Sequence, residues 1–227
     1  PPLRRKAPRR SDIPVAANWK TKIENALESY HVDLVHPTTF GRTPEPERCT
    51  HELFEGGSTF TSIEPCERFS DRLVHRLAHV EPDLEYKHWL YLPNLMFGKM
   101  RLFTWVESIL PISPTKMRIF SAFFCYRGRE GRLRSRLLER ALANWGRKFF
   151  TKVSYEDANI LPEVQRGLSA PAQPSAGVIS IREERCWHFQ AVTCAWSATT
   201  WRVCQSLRRR CFGSSRHRQE RSSCLGT

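Results

Sequence analysis

The chain has 227 residues, enough for one domain with a substantial core and too few for two large ones. It contains no run of eighteen apolar residues, so no helical membrane span is expected, and its basic, proline-rich opening PPLRRKAPRR leads into no apolar stretch of the secretory kind, which points to a cytoplasmic setting. The net charge of +13 would ordinarily suggest nucleic acid or an anionic surface, but its distribution argues otherwise.

Residues 1–12 carry five basic and one acidic side chain, residues 191–227 carry seven and one, and the 178 residues between them carry 24 and 21. The excess lies in two ends without apolar periodicity, so neither nucleic-acid nor membrane binding is expected of the body. The expected organisation is a basic extension over 1–12, a folded domain over 13–190 and a tail over 191–227. That tail has no lysine, seven arginines, six serines and four cysteines in 37 residues. Cysteines 194, 204, 211 and 224 lack the paired spacing of a zinc site. The composition suits a disordered segment or one read in the wrong frame.

The segment NWKTKIENALESYHVDLVHP, Asn18 to Pro37, sets His31 and His36 five residues apart beside Glu28. Two neutral imidazoles and a carboxylate with open positions form the ligand set of mononuclear Fe(II) oxygenases. On an ideal helix, positions five apart point roughly 140° from each other, so a shared metal requires the helix to end or distort. Pro37 supplies a reason, because the residue before a proline is pushed out of the helical region. A lone histidine pair is more often a surface or core feature than a ligand pair.

Strand-like runs follow. His51 to Ile63 places Gly56-Gly57 between two β-rich stretches and reads as a hairpin. Further extended runs are expected at Arg72–Val80, Tyr86–Leu92, Arg101–Leu110 and Met117–Tyr126, divided by Glu81-Pro82-Asp83, Pro93-Asn94 and Pro111 to Pro114. Short turns between them imply an antiparallel sheet. From Gly131 to about Tyr155 the period becomes helical: Leu133, Leu137, Leu138, Ala141, Leu142, Trp145, Phe149 and Phe150 form one apolar stripe, with arginines 132, 134, 136, 140 and 147 as its solvated face. A second short helix is expected over Glu156–Arg166, with Pro162 near its start or at a kink. The expected class is α+β, a curved antiparallel sheet packed on a long helix.

Several separated motifs carry a family resemblance. NWK, EN, ESYH and VHPTTF, then YLPNLM (Tyr91 to Met96), ILPISPTKMRIFSAFF (Ile109 to Phe124), VSYEDANILPEVQRGL (Val153 to Leu168) and EERCWHFQ (Glu183 to Gln190), resemble, in that order, the catalytic domain of Rieske non-haem iron oxygenase large subunits, the aromatic-ring-hydroxylating dioxygenases. The resemblance runs from about Ile13 to Gln190. It implies a helix-grip domain with iron held between helices and sheet.

The resemblance also assigns roles. His31 and His36 would be two iron ligands and the aspartate of the Glu156-Asp157 pair the third; the residues alone leave Glu156 and Asp157 open, with helix N-terminal charge as the plain reading of both. Glu28 would bridge His31 to the electron donor and orient its ring, and Asn25 would lie close to the iron. The implied reaction uses Fe(II), O2 and electrons delivered by a ferredoxin or reductase chain to hydroxylate or oxidatively demethylate a small organic substrate. Intact relatives hold a 2Fe-2S Rieske cluster and form homotrimers.

That cluster needs Cys-x-His followed by Cys-x-x-His. Cys49-Thr50-His51 imitates the first half, but Cys66 is followed three places on by Phe69, so no such cluster is expected in these 227 residues, and Cys49, Cys66 and Cys125 are expected as reduced thiols. Trp89, Leu95, Phe97, Phe103, Trp105, Phe120 and Phe124 are candidates to line an apolar pocket or to fill plain core. A helix-grip cavity without working iron would be a non-catalytic small-molecule-binding protein.

Overall fold

The computed structural model describes residues 9–40, 42–64, 72–73, 75–76, 83–125, 133–171 and 179–196. The chain divides into a first unit ending at Phe189 and a second from Gln190 onward. In the first, β1 (Arg9–Val15) leads to helices α1 (Trp19–Leu27) and α2 (Val32–Val35). Then come β2 (Cys49–Phe54), β3 (Gly57–Ile63), β4 (Glu85–Tyr91), β5 (Leu95–Met100), β6 (Phe103–Ser113), β7 (Lys116–Cys125) and helix α3 (Leu133–Leu168). The strands form one sheet in the order β1-β7-β6-β5-β4-β3-β2, with every neighbouring pair antiparallel. This is an α+β domain. Among the described residues no helix is long and apolar enough to cross a membrane.

Strand alternation places the core. Ile13, Val15 and Ala17 are buried at every second position, and Leu90, Met96, Ile109, Met117 and Ile119 join them on the same sheet face. Ile23 and Leu27 of α1, Leu161 of α3 and Phe189 close over that face. Asn18 fixes the start of α1 by three bonds. Its side chain accepts from the Lys20 N–H at 2.9 Å and donates to the Pro114 carbonyl at 2.8 Å, while its own N–H donates to Gln165 Oε1 at 2.8 Å. The Asn-Trp-Lys motif thus ties α1 to the β6–β7 turn and to the end of α3. Midway along α3, Gly146 lets the helix rest on the sheet, since a Cβ there would lie 2.6 Å from the Phe123 ring and 2.7 Å from that of Phe103.

The structure corrects several expectations. The strand β1 begins at Arg9, inside the segment 1–12 that was expected to lie outside the fold. Its pairing with β7 leaves it at the sheet edge, where Pro14 costs no ladder bond. In the run Arg72–Val80 the described residues 72–73 and 75–76 are helical rather than extended. Apolar residues at 73, 74, 77 and 78 have helical spacing that short length disguises. β5 was missed because Asn94 and Gly98 read as turn residues, and β6 runs on through Pro111 by way of a register shift between Pro111 and Ser113, a position where strands tolerate proline. The two expected helices are one 36-residue helix with Pro162 inside it. Proline removes the bond to the Ala158 carbonyl, but the fully buried Leu161 beside it anchors the helix to the core.

Residues 184–189 are helical, and in the second unit residues 190–196 are helical as well. The remainder of the tail, with Cys204, Cys211, His217 and Cys224, lies outside the described residues, as does Cys66.

Candidate metal centre

α1 stops at Leu27 because the chain turns extended at Glu28 (φ −96°, ψ 167°). That turn lets one carboxylate satisfy two donors: Glu28 Oε2 accepts from the His31 backbone N–H at 3.1 Å, and Oε1 accepts from His31 Nδ1. Glu28 thus reaches the ring from an extended residue. His31 then caps the start of α2, His36 caps its end, and Pro37 follows. The required break therefore occurs twice, and the two rings meet with centroids 5.2 Å apart.

α3 brings the carboxylates. Adjacent helical residues point roughly 100° apart, so Glu156 and Asp157 reach opposite sides of one imidazole. Glu156 Oε2 lies 2.8 Å from His36 Nδ1 and also accepts from Thr39 Oγ1 at 2.9 Å, whereas Asp157 Oδ1 lies 3.0 Å from His36 Nε2 and 3.9 Å from His31 Nε2. The atoms of His31, His36 and Asp157 that could hold a metal all lie within 4.8 Å of one another. Each outer ring nitrogen is held by a carboxylate, which fixes the tautomer and makes the inward nitrogen a better ligand. Two imidazoles and a carboxylate are the donor set that suits Fe(II).

Asn25 Nδ2 donates to Asp157 Oδ1 at 3.1 Å, and Lys22 Nζ donates to Asp157 Oδ2 at 2.8 Å with Glu107 Oε2 at 3.9 Å. Lys22 and Glu107 were not among the candidates read from the sequence. The signals were a lysine on the apolar stripe of α1, two residues beyond the Asn-Trp-Lys motif, and a carboxylate at an inward strand position. Burial opposes charge on Lys22, but Asp157 and Glu107 outweigh it and hold its pKa above the ordinary lysine value. Burial likewise opposes charge on Asp157, yet Lys22 and His36 keep its carboxyl well below the usual range. For His36, burial is outweighed by Asp157 and Glu156, which raise the imidazole above its ordinary value.

These groups open into a cavity of about 760 Å³, within the range of small-molecule sites. Phe40, Phe60, Tyr86, Trp105, Phe123 and Phe150 contribute to its wall. Of the seven apolar candidates from the sequence only Trp105 does so, because the inward parity of the strands falls on Tyr86, His88, Gly98, Trp105, Glu107, Ser121 and Phe123. Trp89, Leu95, Phe97, Phe120 and Phe124 have the opposite parity, and Phe103, though inward, is buried against Phe123 and Trp145. Trp105 lies over Gly98, where a Cβ would come within 2.0 Å of the indole. The expected cluster mimic Cys49-Thr50-His51 is part of β2, and Cys49 and Cys125 are free thiols.

His88 is buried and neutral: burial, then the charges of Arg185 and Lys22, push its pKa well below 6.5. Above about pH 6.5 the folded and unfolded forms are both neutral and His88 adds no pH dependence. Below it the unfolded chain takes up a proton that the folded chain refuses, so stability is lost as pH falls, by up to ~1.4 kcal/mol per pH unit. His88→Gln should therefore flatten the loss of urea stability between pH 6.5 and 5 relative to wild type. An unchanged slope would mean that His88 is not the titrating group.

The profile of the family described as ring hydroxylating alpha subunit (catalytic domain) matches residues 4–199, a longer stretch at both ends than the resemblance seen in the motifs. Among solved structures, the quaternary ammonium Rieske monooxygenase CntA in complex with an inhibitor is similar at a TM-score of 0.63 and 20% identity, over 85% of this chain and 50% of that one. CntA with γ-butyrobetaine gives 0.53 and 18% over 84% and 48%. NdmA of Pseudomonas putida CBB5 with caffeine gives 0.53 and 14% over 82% and 51%. The chain thus spans about half the length of these structures. No curated protein matches it. The family profile covers most of the chain and the fold agrees with it, so the chain belongs to the catalytic-domain family of ring-hydroxylating alpha subunits, the Rieske non-haem iron oxygenases.

Proposed function

We propose that the chain holds one Fe(II) through His31, His36 and Asp157 and acts as an oxygenase on a small organic substrate bound in the adjoining cavity. The observation that carries this reading is the convergence of three ligand atoms within 4.8 Å at the head of that cavity. Bound iron would supply the activation of O2 that the protein's own side chains cannot perform. The chain's residues do the rest. Glu28 and Glu156 keep the protons of His31 and His36 on the outer nitrogens, Asn25 and Lys22 fix the Asp157 carboxylate, and the aromatic wall excludes water. A quaternary ammonium Rieske monooxygenase of similar fold has been described in terms of inter-subunit electron transfer; here Glu28, on the outer nitrogen of His31, is the proposed electron entry from a Rieske centre of a neighbouring subunit in a trimer. A ferredoxin or reductase chain in the cytoplasm would supply the electrons, and the outcome would be hydroxylation or oxidative demethylation.

One observation favours a second reading, a non-catalytic small-molecule-binding protein. Lys22 and Asn25 already satisfy Asp157 without a metal. Peroxide separates the two readings, because it brings both oxygen and reducing equivalents. Iron-loaded protein given hydrogen peroxide and a panel of methoxylated and N-methylated aromatics should release hydroxylated or demethylated product, followed by mass spectrometry. With a reductase and NADH alone the 227 residues, which contain no complete Cys-x-His and Cys-x-x-His set, should not turn over. Ligand binding with no iron-dependent product under peroxide would support the carrier reading instead.

A further inference from the structure

The cavity wall holds a second polar group besides the metal-binding trio. Arg185, in the helix that starts at residue 184, is 1% exposed. Its Nε donates to Ser58 Oγ at 3.0 Å and its Nη1 lies 3.4 Å from His88 Nδ1, but Nη2 has no hydrogen-bond partner. Among the described residues no carboxylate pairs with it, in contrast to Lys22, which has two. An unpaired guanidinium out of water is costly and is retained only where something compensates it.

The neighbouring imidazole sharpens the point. A guanidinium has no acceptor, so His88 Nδ1 must accept from Arg185, which assigns the His88 proton to Nε2. That N–H is buried and also has no partner. Arg185 and His88 both contribute to the cavity wall, with Tyr86 and Trp105 beside them, and the His88 and Trp105 rings are 5.2 Å apart. Two donors of this pair, Arg185 Nη2 and His88 Nε2, are therefore left without an acceptor beside one positive charge. The metal site is the reverse, with Asp157 and Glu107 supplying negative charge that Lys22 balances.

We propose that Arg185 and His88 form a carboxylate subsite, and that the natural ligand of the cavity is a small organic acid whose apolar body lies along the aromatic wall between this subsite and the metal ligands. Guanidinium nitrogens meet a carboxylate in a two-point geometry that fixes orientation as well as charge. The two free nitrogens are covered from solvent in the ligand-free chain, so the acid is met by a turn of the arginine side chain. A neutral analogue of the same shape would leave these donors unsatisfied, which is the situation in which buried polar sites discriminate most strongly. The inference rests on the oxygenase reading only for what becomes of the bound acid.

The test uses the full chain, metal-free, with benzoate, phenylacetate and 3-phenylpropionate against their own amides in titration calorimetry. At least one acid should bind ten-fold or more tightly than its amide, and Arg185→Gln should bring that ratio close to one. The ligand-free melting temperature of Arg185→Gln should not fall, because the replacement removes an unpaired buried charge. No preference for any acid over its amide in the wild type would overturn the proposal, and this comparison needs no variant. A preference retained in full by folded Arg185→Gln would overturn it as well. Iron stoichiometry measured on the same wild-type preparation reports separately on the metal reading, so either can fail while the other stands.

Discussion

His36→Ala and Asp157→Ala should lose stoichiometric Fe(II). Wild-type protein reconstituted without oxygen and dialysed should retain about one iron per chain, and these variants, together with His31→Ala, should retain essentially none. Residues that only orient a metal ligand account for ~10–100-fold in affinity or activity, so loss of a ligand atom should cost more than that. The arrangement makes the three unequal. His36 is buried between Glu156 and Asp157, and its removal leaves Glu156 without the ring nitrogen it holds at 2.8 Å. His31 is the more exposed ring and its Nε2 is 3.9 Å from Asp157, so His31→Ala should fold most like wild type. Glu28→Gln should keep its iron while slowing electron delivery. Tight, stoichiometric binding by all three alanine variants would remove the basis of the metal assignment.

Lys22→Met should destabilise the metal-free protein by about 3–5 kcal/mol, the cost of leaving a buried partner charge uncompensated. Lys22 is 4% exposed and faces both Asp157 and Glu107, so its loss leaves two buried carboxylates without the cation they share. A divalent ion should reverse part of the damage, because the same loss removes the positive charge that opposes a metal beside Asp157. At a free metal concentration ~100 times the dissociation constant, binding adds ~2.7 kcal/mol, so most of the deficit should disappear. Urea denaturation of wild type and Lys22→Met, each with and without Fe(II) under anaerobic conditions, measures all four quantities. A metal-free variant within 1 kcal/mol of wild type would show that the ammonium does not hold the two carboxylates in place.

Much of this molecule was readable in the chain. Proline after His36 announced that the residue could not stay helical, and a break is what lets His31 and His36 face one another. The change of period from two to 3.6 near residue 131 separated sheet from helix. These signals are local: each depends on backbone preference or on spacing along one element. Boundaries failed where a local signal has two meanings. Pro111 looked like a break yet sits at a register shift, and Pro162 lies within a helix that Leu161 anchors.

What tertiary structure decided was which groups share a burial environment. Nothing along the chain says that Lys22 lies 2.8 Å from a carboxylate 135 residues away, that β1 pairs with β7 rather than trailing as a basic extension, or that Arg185 is buried beside His88 with no carboxylate partner among the described residues. Alternation in a strand reveals that two faces exist but not which of them the helices cover, and for that reason the aromatic residues first assigned to the pocket had mostly the wrong parity. The sequence by itself determined the class of fold and the residue types that can hold a metal. Only the folded chain settled how their charges are balanced, because the energy of a buried charge depends on neighbours that sequence distance does not encode.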